Sequence, residues 1–219
     1  MKKKIIALVA LLACVTMGAS AQVYVGGSLG FTSSKIDQGG QDQDGSSYKI
    51  IPEIGYQLDD DLSVGLQIGY AHGYASFGSL NVTDVKALMN TVVSTYADIN
   101  EDDMKLNSFT IAPYLRYNVL KFDRVKFFIE GGVGYTNIKS DDTPNANGRK
   151  TGNESKLDLL EIAIRPGVSF DLSSNISLMA KIGSLGYMEA KEKESDQKLT
   201  RFGLDIDTYN LLFGLNFKF

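Results

Sequence analysis

Six charged residues interrupt faces that are otherwise mostly Gly, Ser, Ala and Thr: Glu53, Arg116, Glu130, Glu161, Arg165 and Lys181. A carboxylate held beside a cation in a shielded place has the residue types for general acid–base work, so Glu53 with Arg116, or Glu161 four residues before Arg165, has the look of a catalytic pair. The plainer reading is structural. Three acids against three bases nearly cancel, as enclosed charges must. The remaining inventory is thin. His72 is the only histidine, which removes any metal centre built on several histidines. Asp42-Gln43-Asp44 and Glu101-Asp102-Asp103 are acidic clusters with affinity for a divalent ion, but neither has the alternating ligands and sixth-position Gly of an EF-hand loop. Gly131-Gly132-Val133-Gly134 lacks the Lys-Ser/Thr of a phosphate loop. Asn81-Val82-Thr83 matches a glycosylation sequon, a pattern short enough to arise by chance. No catalytic residue, metal site or cofactor is expected.

The elements that must position those six charges read as strands. Val23, Val25, Leu29 and Phe31 alternate with Tyr24, Gly26, Ser28 and Gly30, and a period of two is a strand with unlike faces. A second run from about Tyr48 to Leu58 carries Ile50, Pro52, Ile54 and Tyr56 on one face and Ile51, Glu53, Gly55 and Gln57 on the other. Asp59-Asp60-Asp61 is a tight turn, and Leu62 to Tyr70 answers it. Further alternating runs cover Phe109–Val119, Phe127–Tyr135, Leu160–Leu172 and Ile176–Ile182. The closing one runs from Tyr209 to Phe219, with Leu211, Phe213, Leu215, Phe217 and Phe219 on its apolar face. Eight strands result. Their connections are short after strands two, four and six and long after the odd ones: Ser33–Ser47, Gly73–Lys105 (with a short capped helix through Val85 and Val92), Ile138–Lys156 and Glu189–Arg201. Up-and-down strands with every long loop at one end describe an all-β, eight-stranded antiparallel transmembrane barrel.

Three features choose the outward face, since a soluble lipocalin-like barrel would be the inverse. The polar faces carry residues too small and uncharged for a water-facing exterior. Counting from the short turns sets Glu53, Arg116, Glu130, Arg165 and Lys181 at similar depth, where they can pair. Aromatics bound the apolar band at both ends, with Tyr56, Tyr117 and Phe170 near the short-turn end and Tyr48, Tyr70 and Tyr135 near the other, as two membrane interfaces require. Lipid lies outside and ion pairs inside. The interior of an eight-stranded barrel is just wide enough for side chains to fill it, so a plugged lumen is expected and a wide pore is not. His72 falls near the rim, at the height where a hydrolytic histidine would sit, without a flanking motif to support that role.

The N-terminus sets the compartment. Lys2, Lys3 and Lys4 precede an apolar run from Ile5 to Ala13, and Ala19-Ser20-Ala21 supplies small residues before Gln22. That is a cleavable secretory leader over 1–21, with the barrel domain over 22–219. The run is too short to span a bilayer. Leu11-Leu12-Ala13-Cys14 also resembles a lipoprotein box, which would make Cys14 a lipidated first residue. Losing the leader's three lysines takes the formal charge from −4 to −7. An acidic chain without a basic block argues against nucleic acid.

Ile51-Pro52-Glu53-Ile54-Gly55-Tyr56, Ala112-Pro113-Tyr114-Leu115-Arg116-Tyr117, Phe128-Ile129-Glu130-Gly131-Gly132-Val133-Gly134-Tyr135 and terminal Phe219, behind the leader, resemble the outer membrane protein beta-barrel family of small OmpA/OmpX type, sometimes labelled porin-family. The resemblance covers the whole chain after the leader. It implies that Tyr209, Leu211, Phe213, Leu215, Phe217 and Phe219 form the signal read by the barrel-assembly machinery. It implies no single activity, and no appended peptidoglycan-binding domain is expected. The expected role is an integral scaffold of the bacterial outer membrane, in contact with membrane lipid and lipopolysaccharide, displaying loops for adhesion, envelope integrity or an extracellular ligand. The alternative is a narrow porin-like channel for ions or small solutes.

Overall fold

The computed structural model describes residues 22–38, 41–72, 105–141, 156–192, 198–205 and 212–219. They form strands β1 (Gln22–Gln38), β2 (Gln41–Gln57), β3 (Leu62–His72), β4 (Lys105–Phe122), β5 (Val125–Asp141), β6 (Lys156–Asp171), β7 (Ile176–Lys181), β8 (Ser184–Glu192), β9 (Lys198–Asp205) and β10 (Leu212–Lys218). Neighbours pair antiparallel from β1 through β7, and β10 pairs with both β7 and β1. The sheet therefore closes on itself. β7 with β8, and β9 with β10, each share one stave, so ten strands make eight staves of a closed barrel. Among the described residues no helix is long and apolar enough to cross a membrane, which says nothing of strands.

β7 passes into β8 through a bulge. Gly167 of β6 faces Lys181 while Ile164 faces Leu185, so three steps on β6 oppose four on the other stave. Gly183 absorbs the extra residue at φ 65°, a left-handed conformation that costs a Cβ-bearing residue. Were the strand to run through Gly183 without the bulge, the alternation carried on from Lys181 would turn Ser184 and Ala190, both buried, outward.

The short turns carry their own locks. Asp59 Oδ1 accepts hydrogen bonds from the Asp61 and Leu62 amides at 2.8 and 2.7 Å. Ser173 Oγ accepts from Asn175 and Ile176, and Asp123 sits at φ 38° between β4 and β5. These side-chain acceptors are the reason Asp and Ser occupy the turns.

The ladders run further than the apolar pattern does. β1 and β2 stay paired to Gln38↔Gln41, through most of the polar segment 33–47 expected to be a loop. β5 continues to Asp141 and β6 begins at Lys156. β8 and β9 pair to Lys191↔Lys198, inside the expected loop 189–201. The physical reason is common to all three. Beyond the bilayer a ladder needs its backbone hydrogen bonds but no longer needs one apolar face, so the period-two signal fades before the strand does. The expected helix in the connection 73–105 lies outside the described residues.

Exposure fixes the orientation. Val25, Ile54, Leu115, Ile129, Ile162, Leu178 and Phe213 are among the large apolar side chains that face outward, whereas Glu53, Glu130 and Lys181 are at most 4 % exposed. Apolar outside and charged inside inverts a soluble protein. That excludes the lipocalin-like arrangement and matches a membrane solvent.

Candidate functional site

Five staves deliver one side chain each to a central cluster. β2 supplies Glu53, β3 Gln67, β4 Arg116, β5 Glu130 and β7 Lys181, each an inward position of its strand. Arg116 is the hub. Its Nη2 donates to Glu53 Oε1 at 2.9 Å and to Glu130 Oε2 at 2.6 Å, and its Nε donates to Glu130 Oε2 at 3.0 Å. Lys181 Nζ donates to Glu130 at 2.8 Å and lies 3.5 Å from Glu53. Gln67 Nε2 bridges the carboxylates, donating to Glu53 at 3.1 Å and Glu130 at 3.0 Å. Two acids and two bases therefore balance with short, charge-assisted bonds.

Rings wall the cluster toward the short-turn end. The Arg116 guanidinium lies 4.9 Å from the Tyr114 ring centre and 5.0 Å from that of Phe128, within cation–π range. Tyr24 and Tyr114 share a hydroxyl hydrogen bond of 2.7 Å across the lumen. Gly55 and Gly65 make room for them. A Cβ on Gly55 would strike the Tyr24 ring and one on Gly65 the Tyr114 ring, so small residues beside large ones fill the narrow bore.

Toward the long-loop end the interior turns apolar. Ile138, Leu157, Leu159, Ala71, Ala190 and Leu212 are all buried. Between this layer and the hub, Arg165 Nη2 meets Glu161 Oε1 at 2.6 Å, and Lys49 lies buried on the same inward face. At the short-turn end a cavity of about 50 Å3 is bordered by Ser63, Asn118, Lys126, Ser177, Asn216 and Lys218. It stops beneath Arg116 and Phe128. Outside the membrane-spanning staves, the Asp61 and Leu62 amides hold the Asp59 carboxyl below its usual range, and the Asp61 hydrogen bond raises Lys121.

Of the six expected lumen charges, Glu53, Arg116, Glu130 and Lys181 meet in the hub. Glu161 and Arg165 pair with each other instead: Arg165 faces Glu130 in strand register, but its guanidinium points to its own strand's Glu161. Gln67, Lys49, the two tyrosines and the apolar layer were missed. Gln67 and Lys49 were findable, since each is in phase with a lumen residue on its own strand. Among the girdle residues Tyr48, Tyr70, Tyr117, Tyr135 and Phe170 are exposed and Tyr56 is half-buried. Of the terminal stretch, Phe213, Leu215, Phe217 and Phe219 face outward; Tyr209 and Leu211 lie outside the described residues. His72 Nδ1 is 3.0 Å from Asn107 Oδ1, and its ring stacks on Tyr48. Among the described residues no group of three metal-ligating side chains converges.

A family model described as the outer membrane protein beta-barrel domain matches residues 5–219. No curated protein matches the chain. Among solved structures, Neisserial surface protein A is 16% identical, covering 91% of this chain and 96% of that one, at a TM-score of 0.45. The N-terminal barrel domain of Pseudomonas aeruginosa OprF is 13% identical over 90% and 97%, with a TM-score of 0.44. The Escherichia coli outer membrane protease OmpT is 9% identical over 93% and 100%, with a TM-score of 0.42.

Proposed function

The chain belongs to the outer membrane protein beta-barrel domain family, and from that premise we propose that it is a non-enzymatic outer-membrane scaffold. Its filled lumen fixes the staves while the long-loop end is presented to the outside for adhesion, envelope integrity or the binding of an extracellular ligand. The observation that carries this reading is the hub of Arg116, Lys181, Glu53, Glu130 and Gln67, which fills the bore with mutually bonded side chains. A barrel whose interior is spent on internal bonds offers its edges and loops, rather than its lumen, to other molecules. The environment of His72 favours the same view, because its ring is taken up by Tyr48 and Asn107. In this reading residues 1–21 direct export and are removed, the outward aromatic and aliphatic residues of β10 through Phe219 are read by the barrel-assembly machinery, and the exposed aromatics at either end anchor the barrel at the two interfaces.

The test is conductance in planar lipid bilayers. The purified protein is expected to leave the membrane electrically silent, while migrating faster unboiled than boiled on an SDS gel. Discrete current steps in the unmodified protein, altered by Arg116→Ala or Glu53→Ala, would replace the scaffold with a narrow channel for ions or small solutes.

A further inference from the structure

The cavity at the short-turn end has two lysines on its wall that share a single carboxylate. Lys126 and Lys218 border it. Asp171 Oδ2 lies 2.6 Å from Lys126 Nζ, and its Oδ1 takes the Ser177 hydroxyl at 2.6 Å. Lys218 Nζ is left 3.9 Å from that same Oδ1, the outer limit of an ion pair. Water offsets little of this, since the side chains of Lys126 and Lys218 are 21 % and 19 % exposed. Asp61, the carboxylate that borders the cavity, is 2.5 Å from Lys121. Three lysines therefore stand against two acids. Asp59, Asp60, Asp123 and Arg124 are exposed on the turns and do not border the cavity. The turns and strand ends around this mouth all belong to the described residues.

The roof of the cavity adds a donor and an acceptor. Arg116 gives Nε and Nη2 to the hub, but its Nη1 is turned to Met179 Sδ at 3.4 Å, and a thioether is a weak acceptor. Asn216 Nδ2 donates to the same sulfur at 3.2 Å. That leaves Asn216 Oδ1, on a residue 6 % exposed, without a hydrogen-bond partner among the described residues. A buried acceptor in that state is costly unless something donates to it.

The occupant that fits must accept from cations and donate to one amide oxygen. A carboxylate accepts and cannot donate, and sulfate at neutral pH is the same. Hydrogen phosphate does both, through its bare oxygens and its P–OH. We propose that this cavity binds a phosphate ion, whose bare oxygens take Lys218, Lys126 and the Arg116 Nη1 donor while its P–OH donates to Asn216 Oδ1. The volume of about 50 Å3 is room for about four water-sized groups, which suits one tetrahedral ion and not a nucleotide or a sugar. The site goes beyond the scaffold reading, since the hub above it still closes the bore, and it holds whichever side of the membrane the mouth faces.

The experiment is isothermal titration calorimetry of the refolded full chain, in a phosphate-free detergent and a buffer free of phosphate and sulfate at neutral pH. The ligands are inorganic phosphate, sodium sulfate and glycerol 3-phosphate. One saturable site is expected for phosphate. A hydrogen bond involving a charged group is worth about tenfold or more in affinity, so sulfate is expected to bind more weakly than phosphate by that factor, and Lys218→Gln to weaken phosphate by as much. Arg124→Gln, on an exposed turn, should bind as the parent does, and Asn216→Ala should bind the two ions alike. Phosphate that fails to bind the parent at millimolar concentration overturns the proposal, as does undiminished binding in a Lys218→Gln protein that keeps the heat-dependent gel shift. Sulfate binding the parent as tightly as phosphate, or a phosphate preference that survives Asn216→Ala, would overturn the selection by Asn216. Tighter binding of glycerol 3-phosphate would overturn the free ion in favour of a phosphomonoester terminus. Should Lys218→Gln fail to fold, Lys126→Gln carries the test: it releases Asp171 to Lys218, removes the surplus charge and should also lose about tenfold.

Discussion

Replacing Arg116 by Met removes the cation that donates hydrogen bonds to both buried carboxylates. Glu53 and Glu130 are 3 % and 1 % exposed, so water cannot take over. Two negative charges then share Lys181, 2.8 Å from Glu130 and 3.5 Å from Glu53. Breaking a buried pair so that a charge is left uncompensated costs about 3–5 kcal/mol, and the Gln67 amide, a neutral donor to both acids, offsets only part of it. Adding Glu130→Gln to Arg116→Met restores neutrality, leaving Glu53 with Lys181 and an amide in place of the second carboxylate. The double variant should therefore recover most of the loss, although it removes two charged side chains instead of one. The assay is urea unfolding in lipid vesicles, followed by the heat-dependent gel shift, for the parent, both single variants and the double. If Arg116→Met costs less than 1 kcal/mol, or the double variant is no more stable than the single, the hub does not hold the staves by charge compensation and the reasoning fails.

Gly183→Ala should destabilise the barrel by about 1–2 kcal/mol, the cost of a left-handed residue with a Cβ, whereas Gly131→Ala, with nothing within 4 Å of the new methyl, should cost far less; the same urea series compares them. Asp59 has a carboxyl held below its unfolded value by two amides, so its contribution is present above the ordinary Asp pKa of about 3.9 and is lost as pH falls through the folded value. Asp59→Asn keeps an acceptor without the charge and should flatten that acid limb by losing the charge-dependent part of the stability near pH 7, as read by unfolding midpoints between pH 2 and 7. Truncating Phe219→Ala, which faces outward at 77 % exposure, should lower the fraction of chain reaching the heat-shiftable form in cells, and leave refolding of the purified chain into detergent nearly unaffected.

The sequence carried the barrel because lipid on one side and a packed bore on the other force strict alternation, and that pattern is visible residue by residue from Val23 to Phe31 and again from Phe213 to Phe219. It also carried Glu53, Arg116, Glu130 and Lys181, since a charge on a face of glycines and serines has few explanations. The pairing of Arg165 was not legible. Register sets backbones opposite one another, but a long guanidinium stem chooses its partner by reach, and here Glu161 on the same strand wins over Glu130 across the ladder. Ile138, Leu157 and Leu159 escaped for another reason: apolar residues inside a polar bore break the binary rule that located the bore. The bulge at Gly183 leaves a trace that the reading of faces passed over: the outward parity changes from Leu178 and Ile182 before it to Leu185 and Tyr187 after it.

The paired reach of β1 and β2 changes what the outside of this protein is. From Phe31↔Tyr48 to Gln38↔Gln41 the two strands run seven further residues in register, roughly 23 Å at 3.3 Å per residue along the strand. A free loop of that length would explore a large volume and give up much of that freedom on every encounter. A hydrogen-bonded ribbon has already surrendered it during folding, so contact at its far end is made by a preformed arm. With the long-loop end outward, as proposed, the ribbon would set that contact away from the membrane surface. Shortening it by paired deletions of equal length from both strands would lower the point of contact by a known amount while leaving the barrel beneath it intact.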